Sequence, residues 1–531
     1  MTAADALAAW IAADPDPVTR AELAALPAEE VAERFRGPLT FGTAGLRGPV
    51  RAGPNGMNVA VVVRATAGLA AWLTERGQGG GTVVVGRDAR HGSAEFARAA
   101  AEVLAAAGFR VVFLPRPLPT PVVAFAVRRL GAVGGVQITA SHNPAQDNGY
   151  KVYLSGGAQL VSPADREIEA RIAAAAPAAD IPRTPVTPSG DELVEAYLDR
   201  VGGLPTGERR DIRIALTALH GVGGATATAA LARAGFNDVH TVTAQHDPDP
   251  DFPSVSFPNP EEPGATDALL DLARSVGADL AIALDPDADR CALGVPTPDG
   301  WRMLRGDETG VLLGNQILAS SPPGALVATT IVSSTLLNEL AAARGARSAR
   351  TLTGFKWLTR AGDGLVYAYE EAIGHCVDPD HVRDKDGISA AVVAADLVAR
   401  LAADGRTLLD VLDDLAVEFG LHAGDQVSLR VTLPADLTAL TDRLRADLPT
   451  ELAGEPVTVD DLLDLPEPRR TDALVFEGRS IRVVVRPSGT EPKLKCYLEV
   501  VEPVAGRDDL GPARSRARER LDHLRAFAET L

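Results

Sequence analysis

Three times along this chain, short apolar runs rich in β-branched residues alternate with Ala-rich stretches of helical spacing, and this repetition constrains the fold most. In the first pass, residues 82–85, 110–114 and 133–138 read as strands, and residues 58–76, 93–107 and 121–130 as helices. Strands that alternate with helices assemble into mostly parallel sheets, with the helices covering the faces. The alternation restarts with a strand at 212–216, a helix at 225–234 and a strand at 239–242, closed by a helix at 267–275 and the strand Leu280–Leu284. It restarts again as helix 308–319, strand 325–331, helix 334–343 and strand 349–352. Pro/Gly-rich stretches at 177–190 and 202–207 separate the first two passes. Beyond about residue 425 the pattern changes to half-exposed alternation at 427–433 and 480–485, then 493–500 and a charged terminal helix. Residues 1–37 read as an acidic, Ala-rich helical lead-in broken at 14–17. The expected class is α/β, with three similar α/β domains (38–203, 204–305, 306–424) and a smaller C-terminal α+β domain (425–531). No repeat is visible in the sequence itself, so any likeness among the three is structural.

A chain of 531 residues suits three or four units of ordinary size. Only 4% of residues are aromatic against 46% hydrophobic, so the core is expected to be mostly Ala, Val and Leu. The net charge of −19 argues against nucleic-acid and anionic-membrane partners. An anionic small-molecule substrate would therefore need a local reversal of sign, built from particular Arg, Lys and backbone N–H groups. Cys291, Cys376 and Cys496 are widely separated and fit no zinc or redox spacing, which suits a reducing compartment. The segment Met1-Thr2-Ala3-Ala4-Asp5 opens without a basic stretch followed by an apolar one. No uncharged apolar run reaches the roughly eighteen residues of a membrane span. A soluble, cytoplasmic protein is expected.

Five clusters carry candidate chemistry. Thr139-Ala140-Ser141-His142-Asn143-Pro144 follows a strand, where a serine can present its hydroxyl to a binding surface. Its neighbours Ala140 and His142 exclude a G-x-S-x-G elbow. His142, adjacent in sequence, is expected to point away from the serine and to serve poorly as its base. An ordinary turn serine fits the same local pattern. Asp285-Pro286-Asp287-Ala288-Asp289-Arg290 follows the apolar strand Leu280–Leu284 and sets three carboxylates at alternate positions. Converging carboxylates suit a hard cation such as Mg²⁺, and a solvated acidic turn is the alternative. An EF-hand is excluded, because Arg290 stands where glycine is needed and Pro296 where glutamate is needed. Arg486-Pro487-Ser488-Gly489-Thr490 combines a guanidinium fork, two hydroxyls and open backbone N–H groups, the equipment of a phosphate-binding loop or of a plain hairpin turn. Phe41-Gly42-Thr43-Ala44-Gly45-Leu46-Arg47-Gly48 joins close-approach glycines to one fixed positive charge. Glu370-Glu371-Ala372-Ile373-Gly374-His375, with Gly354-Phe355-Lys356-Trp357 before it, offers paired carboxylates for sugar hydroxyls, or only solvated turns.

Taken together and in this order, the motifs resemble the α-D-phosphohexomutase superfamily of phosphoglucomutases and phosphomannomutases, over about residues 38–500. The lead-in and the phrasing around Ser141 and Phe355 are most similar to the phosphoglucomutase-2 and phosphopentomutase branch. The resemblance implies four domains around a central cleft, each giving one loop. It implies a phosphoserine at Ser141, with Asp285, Asp287, Asp289 and a phosphoserine oxygen as Mg²⁺ ligands. Arg290 matches a residue near the phosphoserine, and Arg47 and Lys151 match residues that assist proton transfer and charge stabilisation. Glu370, with Glu371, Gly354 and Lys356 nearby, matches the sugar-binding set, and His375 closes that loop. Arg486, Ser488, Gly489 and Thr490 match the grip on the non-reacting phosphate. A hexose 1,6-bisphosphate activator follows from the resemblance as well. The expected reaction interconverts glucose 1-phosphate and glucose 6-phosphate, with phosphopentomutase or phosphomannomutase activity as the alternative and a metal-dependent sugar phosphatase as a distant one. One departure stands out: the family's loop usually has a serine where this chain has Ala372, which makes a pentose phosphate credible.

Overall fold

The computed structural model describes residues 3–42, 44–431, 434–488 and 493–531. The chain packs as two compact units, one made of Met1–Leu304 with Ala372–Arg400 and the other of Arg305–Glu371 with Leu401–Leu531.

In the first unit the lead-in forms α1 (Ala3–Ala13), α2 (Pro17–Ala25) and α3 (Ala28–Arg34). The break between α1 and α2 has a local cause: Asp16 caps α2 by accepting from the Val18 N–H, and Pro17 occupies the first turn, where its missing donor costs nothing. Five strands follow: β1 (Leu46–Pro49), β2 (Thr82–Arg87), β3 (Arg110–Phe113), β4 (Gly134–Ile138) and β5 (Asp147–Leu154). Their order is β1-β5-β4-β2-β3. The strands read from the sequence, β2, β3 and β4, are parallel neighbours, with α4 (Val59–Glu75), α5 (Ser93–Ala106) and α6 (Thr120–Arg129) interleaved. Here "mostly parallel" needs correcting. β5 runs antiparallel to β4, and β1 antiparallel to β5, so half of the sheet's pairings are antiparallel. β5 escaped the sequence reading because its tyrosines, lysine and asparagine do not form an apolar run.

The second sheet repeats this plan. β6 (Ile214–Thr217), β7 (Val239–Thr241) and β8 (Leu280–Leu284) are parallel, then β9 (Cys291–Thr297) and β10 (Gly300–Met303) return antiparallel in the order β10-β9-β8-β6-β7. Ser141 lies in the β4–β5 loop and the three aspartates in the β8–β9 loop, so both motifs fall at the same topological station. Such a station, where the last parallel strand meets an antiparallel one, leaves backbone groups and side chains unpaired at the carboxyl end of the strands, a usual place for ligand chemistry.

In the second unit β11 (Leu326–Thr330), β12 (Arg347–Thr351) and β13 (Leu365–Glu370) are parallel, in the order β12-β11-β13. Glu370 ends β13, the strand equivalent to β4 and β8. The C-terminal sheet is antiparallel throughout, in the order Leu421–Arg430, Lys493–Glu502, Ile481–Pro487, Leu474–Glu477, Thr458–Asp461. The helix Leu510–Glu529 adds Leu524 and Ala528 to its core. Small apolar residues fill most of the interior, yet five of the six tyrosines are fully buried as well. Each of these finds a polar partner, as the cost of an orphaned buried hydroxyl requires. Tyr153 and Tyr197, for instance, donate to Asp384 and Asp386 at 2.7 and 2.8 Å. Among the described residues no helix is long and apolar enough to cross a membrane.

Candidate active site

Ser141 is 4% exposed and sits at φ 55, in the left-handed region that non-glycine residues rarely occupy. Its N–H donates to Thr139 Oγ1 at 2.9 Å, and its hydroxyl donates to Asp285 Oδ2 at 3.2 Å. His142 does not point away as expected. At positive φ the turn folds back, and His142 Nδ1 lies 3.2 Å from Ser141 Oγ. Burial first, then Arg290 and Arg47, push the His142 imidazole well below its ordinary pKa, so it is neutral beside the hydroxyl.

The β8–β9 loop turns on Ala288, at φ 53. Asp285, Asp287 and Asp289 are each fully buried, and they offer one ligand atom apiece within 4.8 Å of one another. Asp287 Oδ1 and Asp289 Oδ1 are buried without a hydrogen-bond partner, so both oxygens are left able to meet a cation. Burial, then Asp287 and Asp289, push Asp285 well above the usual carboxylate range. Burial also opposes ionisation of Asp287 and Asp289, but Lys151 overcomes it and holds both below that range. Gly387 packs against the back of this loop, and a Cβ there would come within 2.3 Å of the Arg290 carbonyl oxygen.

Period-two alternation on β5 explains the position of Lys151. Tyr150 and Val152 join the core of the first sheet, so Lys151 and Tyr153 leave by the opposite face. Lys151 Nζ donates to Asp287 Oδ2 at 2.6 Å and to Asp289 Oδ2 at 2.9 Å. Arg47 on β1 pairs in register with Gly149 and donates to Asn143 Oδ1 at 2.9 Å, inside the Ser141 turn. The Arg290 N–H donates to Asp285 Oδ1 at 3.0 Å, and its guanidinium lies 3.5 Å from Glu261. His375 is fully buried, hydrogen-bonded to the Cys291 backbone, and pushed down by burial to about 3. It is therefore a neutral residue and no source of positive charge.

The remaining predicted residues belong to the second unit. Glu370 ends β13. Glu371 is turned toward its own sheet, where its Oε2 accepts from Ser333 Oγ at 3.0 Å and Thr330 Oγ1 at 3.2 Å. Gly354, at φ 106, precedes the short helix Phe355–Leu358, in which Lys356 is half-buried. Arg486 pairs with Lys495, and the Ser488 N–H donates to the Lys493 carbonyl at 2.8 Å. Gly489 and Thr490 lie outside the described residues.

Family models match in chain order: phosphoglucomutase/phosphomannomutase alpha/beta/alpha domain I at residues 38–179, domain II at 195–299, domain III at 305–419, and the C-terminal domain at 428–508. The chain belongs to the phosphoglucomutase/phosphomannomutase family. It is 44% identical to a probable phosphomannomutase of Haemophilus influenzae over 84% of this chain and 93% of that one. It is 32% identical to the phosphopentomutase of Homo sapiens (94% and 92% covered) and 32% identical to the phosphoglucomutase of Staphylococcus epidermidis (89% and 92% covered). Among solved structures, a phosphoglucomutase/phosphomannomutase family protein of Burkholderia thailandensis shares the fold, with TM-score 0.69 and 23% identity over 90% of this chain and 97% of that one. The protein is thus a phosphosugar mutase, an isomerase that works by intramolecular phosphotransfer. The family is metal-dependent, and the aspartates of domain II form a cluster able to hold a metal.

Three residues of the candidate site went unread in the sequence. Thr120, the first residue of α6, donates its hydroxyl to Asp287 Oδ2 at 2.6 Å and its N–H to the Asp287 carbonyl at 2.9 Å. Lys385 brings a second buried ammonium, 3.3 Å from Asp289 Oδ2. Arg90, beyond β2, grips the backbone of the Ser141 turn. The charged runs Arg87-Asp88-Ala89-Arg90 and Asp384-Lys385-Asp386, each against a strongly apolar element, were the available signals.

Proposed function

We propose that this mutase interconverts a sugar 1-phosphate and the ester at the sugar's far end, with Ser141 as phosphoryl carrier and glucose 1-phosphate and glucose 6-phosphate as its pair. The observation that carries this reading is the buried Ser141 hydroxyl, 3.2 Å from Asp285, beside two aspartates that each keep an orphaned oxygen. The donor set is all hard oxygen, so we assign Asp285, Asp287, Asp289 and Ser141 as ligands of Mg²⁺, which when bound supplies charge neutralisation for phosphoryl transfer.

In this reading the bond between Ser141 Oγ and phosphorus breaks as a free sugar hydroxyl forms its own bond to phosphorus, and the proton that this hydroxyl gives up is balanced by the one that returns Ser141 Oγ to a hydroxyl. The resulting bisphosphate turns over and returns its other phosphoryl group to Ser141. Lys151, held protonated by Asp287 and Asp289 against burial, serves as a fixed charge rather than a base. Arg47 adds charge beside the turn, and Arg290 does so on the aspartate loop. Neutral His142, within reach of Oγ, is a second group able to accept a hydrogen bond there, beside Asp285 Oδ2. We read His375 as support for the aspartate loop through Cys291. Glu370, with Gly354 and Lys356, is assigned to sugar hydroxyls, and Glu371 to shaping that loop through Thr330 and Ser333. Arg486, Ser488, Gly489 and Thr490 are assigned to the non-reacting phosphate. A hexose 1,6-bisphosphate is the expected activator, since it can phosphorylate Ser141 and leave a productive monophosphate. We keep the division 1–37, 38–203, 204–305, 306–424 and 425–531, and a cytoplasmic setting, as part of the proposal.

A second reading, pentose phosphate, is favoured by Ala372, which removes one hydroxyl from the sugar loop. Purified protein with Mg²⁺ and a trace of glucose 1,6-bisphosphate tests both. The kcat/KM values for glucose 1-phosphate, mannose 1-phosphate and ribose 1-phosphate are compared while free phosphate is followed. A lead for glucose 1-phosphate supports the first reading and a lead for ribose 1-phosphate the second. Free phosphate released as fast as isomer forms would replace both with a phosphatase.

A further inference from the structure

We infer that Arg90 is a positioning residue for phosphoryl transfer, fixing the turn that aims Ser141 Oγ at the aspartates; this rests on the Ser141 reading above. Arg90 is 4% exposed. Its Nη2 donates to the carbonyl oxygens of Ser141 at 2.5 Å and Asn143 at 2.7 Å, and its Nη1 to those of Pro144 at 2.8 Å and Asp147 at 3.2 Å. One guanidinium therefore gathers four carbonyls that span the turn from the serine to the first residue of β5.

Such a turn needs an external hold. Ser141 at φ 55 occupies a conformation that costs on the order of 1 kcal/mol for a residue with a Cβ, and it persists only where the surroundings over-determine it. Arg90 bonds the serine's own carbonyl, so it fixes the peptide plane immediately after the nucleophile. A planar fork with five donors can do this for four acceptors at once, whereas an ammonium on a flexible stem cannot.

The guanidinium is itself held from two sides. Asp88 Oδ2 lies 3.3 Å from Nε, while Asp88 Oδ1 accepts from Ser93 Oγ at 2.6 Å and from the Arg90 N–H at 3.0 Å. The Phe252 ring covers its face, with the ring centroid 4.9 Å from Cζ. Phe252 is 4% exposed and also sits at positive φ, 46°. It follows β7 in the second sheet, whose β8–β9 loop carries the aspartates. Arg90 thus ties the serine turn of one sheet to the body that carries the aspartates. Among the described residues its guanidinium donates to backbone carbonyls and pairs with Asp88, which separates positioning from chemistry.

The test compares wild type, Arg90→Lys and Phe252→Leu. Steady-state turnover is measured with glucose 1-phosphate, Mg²⁺ and a trace of glucose 1,6-bisphosphate. The single-turnover rate of Ser141 phosphorylation by that bisphosphate is followed by intact mass. Arg90→Lys is expected to lower kcat and the phosphorylation rate together by about 100-fold, the penalty of a nucleophile misplaced by about 1 Å, with KM within about threefold. Phe252→Leu keeps an apolar cover without the ring face and is expected to lose about tenfold in the same two rates. It decides the matter if Arg90→Lys does not fold. Wild-type rates in a folded variant, or a rise in KM at constant kcat, would overturn the inference. So would a loss of rate no greater than the loss of folded protein. A wild type that never acquires phosphate on Ser141 overturns the Ser141 reading and this inference with it.

Discussion

Replacing Lys151 by Met removes the ammonium that binds two buried aspartates, and the structure sets the size of the effect. Nζ lies 2.6 Å from Asp287 and 2.9 Å from Asp289, and all three groups are buried. At the effective dielectric of about 20 that suits buried sites, each contact is worth about 6 kcal/mol of gross attraction. Desolvating the three charges cancels most of that sum, and breaking a buried pair from one side costs about 3–5 kcal/mol net. Lys385 at 3.3 Å from Asp289 and the Thr120 hydroxyl on Asp287 remain, so the lower end, about 3 kcal/mol, is expected. Because Lys151 holds both carboxylates below their ordinary range, its contribution is present above about pH 4 and is lost as the pH falls further. Urea unfolding of the first unit at neutral pH, with a chelator and then with saturating Mg²⁺, is the assay. The deficit should appear in chelator and shrink by more than half with Mg²⁺, since the cation and the ammonium serve the same carboxylates. A deficit under about 1 kcal/mol without metal, or one that ignores the metal, would refute the reasoning.

Thr120→Val keeps the shape of the α6 start and removes the hydroxyl on Asp287. It should weaken divalent-cation affinity about 10- to 100-fold, read by calorimetry or by the Mg²⁺ dependence of turnover. Gly45→Ala places a Cβ 1.8 Å from the Tyr150 carbonyl oxygen at φ +78 and must push β1 off β5. A loss above about 2 kcal/mol with collapse of kcat is expected, and a melting temperature equal to wild type would contradict it. In the second unit, burial opposes the charge on His422, but Glu339 and Glu499 raise its pKa to about 9. Relative to about 6.5 in the unfolded chain, that stabilisation is complete below about pH 6.5 and is lost as pH rises through about 9. Urea midpoints of that unit should fall by the equivalent of about 3 kcal/mol across the interval in wild type and stay level in His422→Gln.

The parallel strands and their helices were legible because an apolar, β-branched run buried on both faces leaves a continuous signal. Leu280–Leu284 is the clearest case, buried at every position. β5 is the opposite case. This antiparallel return strand carries Lys151 toward the site, and its Asp, Asn, Tyr and Lys residues interrupt the pattern that would reveal it. The motif residues Ser141 and the aspartates were legible because their loops follow strong strands. Their supports were not: Arg90, Thr120 and Lys385 lie 51, 167 and 96 residues from the groups they hold, and no local spacing links them. His142 departs from the expected direction because period-two alternation does not carry through a turn where Ser141 adopts positive φ and swings its neighbour round.

The central claim is that Ser141 carries the phosphoryl group, and it is tested most directly by incubating purified protein with Mg²⁺ and glucose 1,6-bisphosphate and mapping phosphate by peptide mass. The account predicts one phosphoryl group on the peptide that contains Ser141, its discharge onto added glucose 1-phosphate or glucose 6-phosphate, and no label in folded Ser141→Ala. Phosphate on another residue, or full turnover by Ser141→Ala, would contradict it.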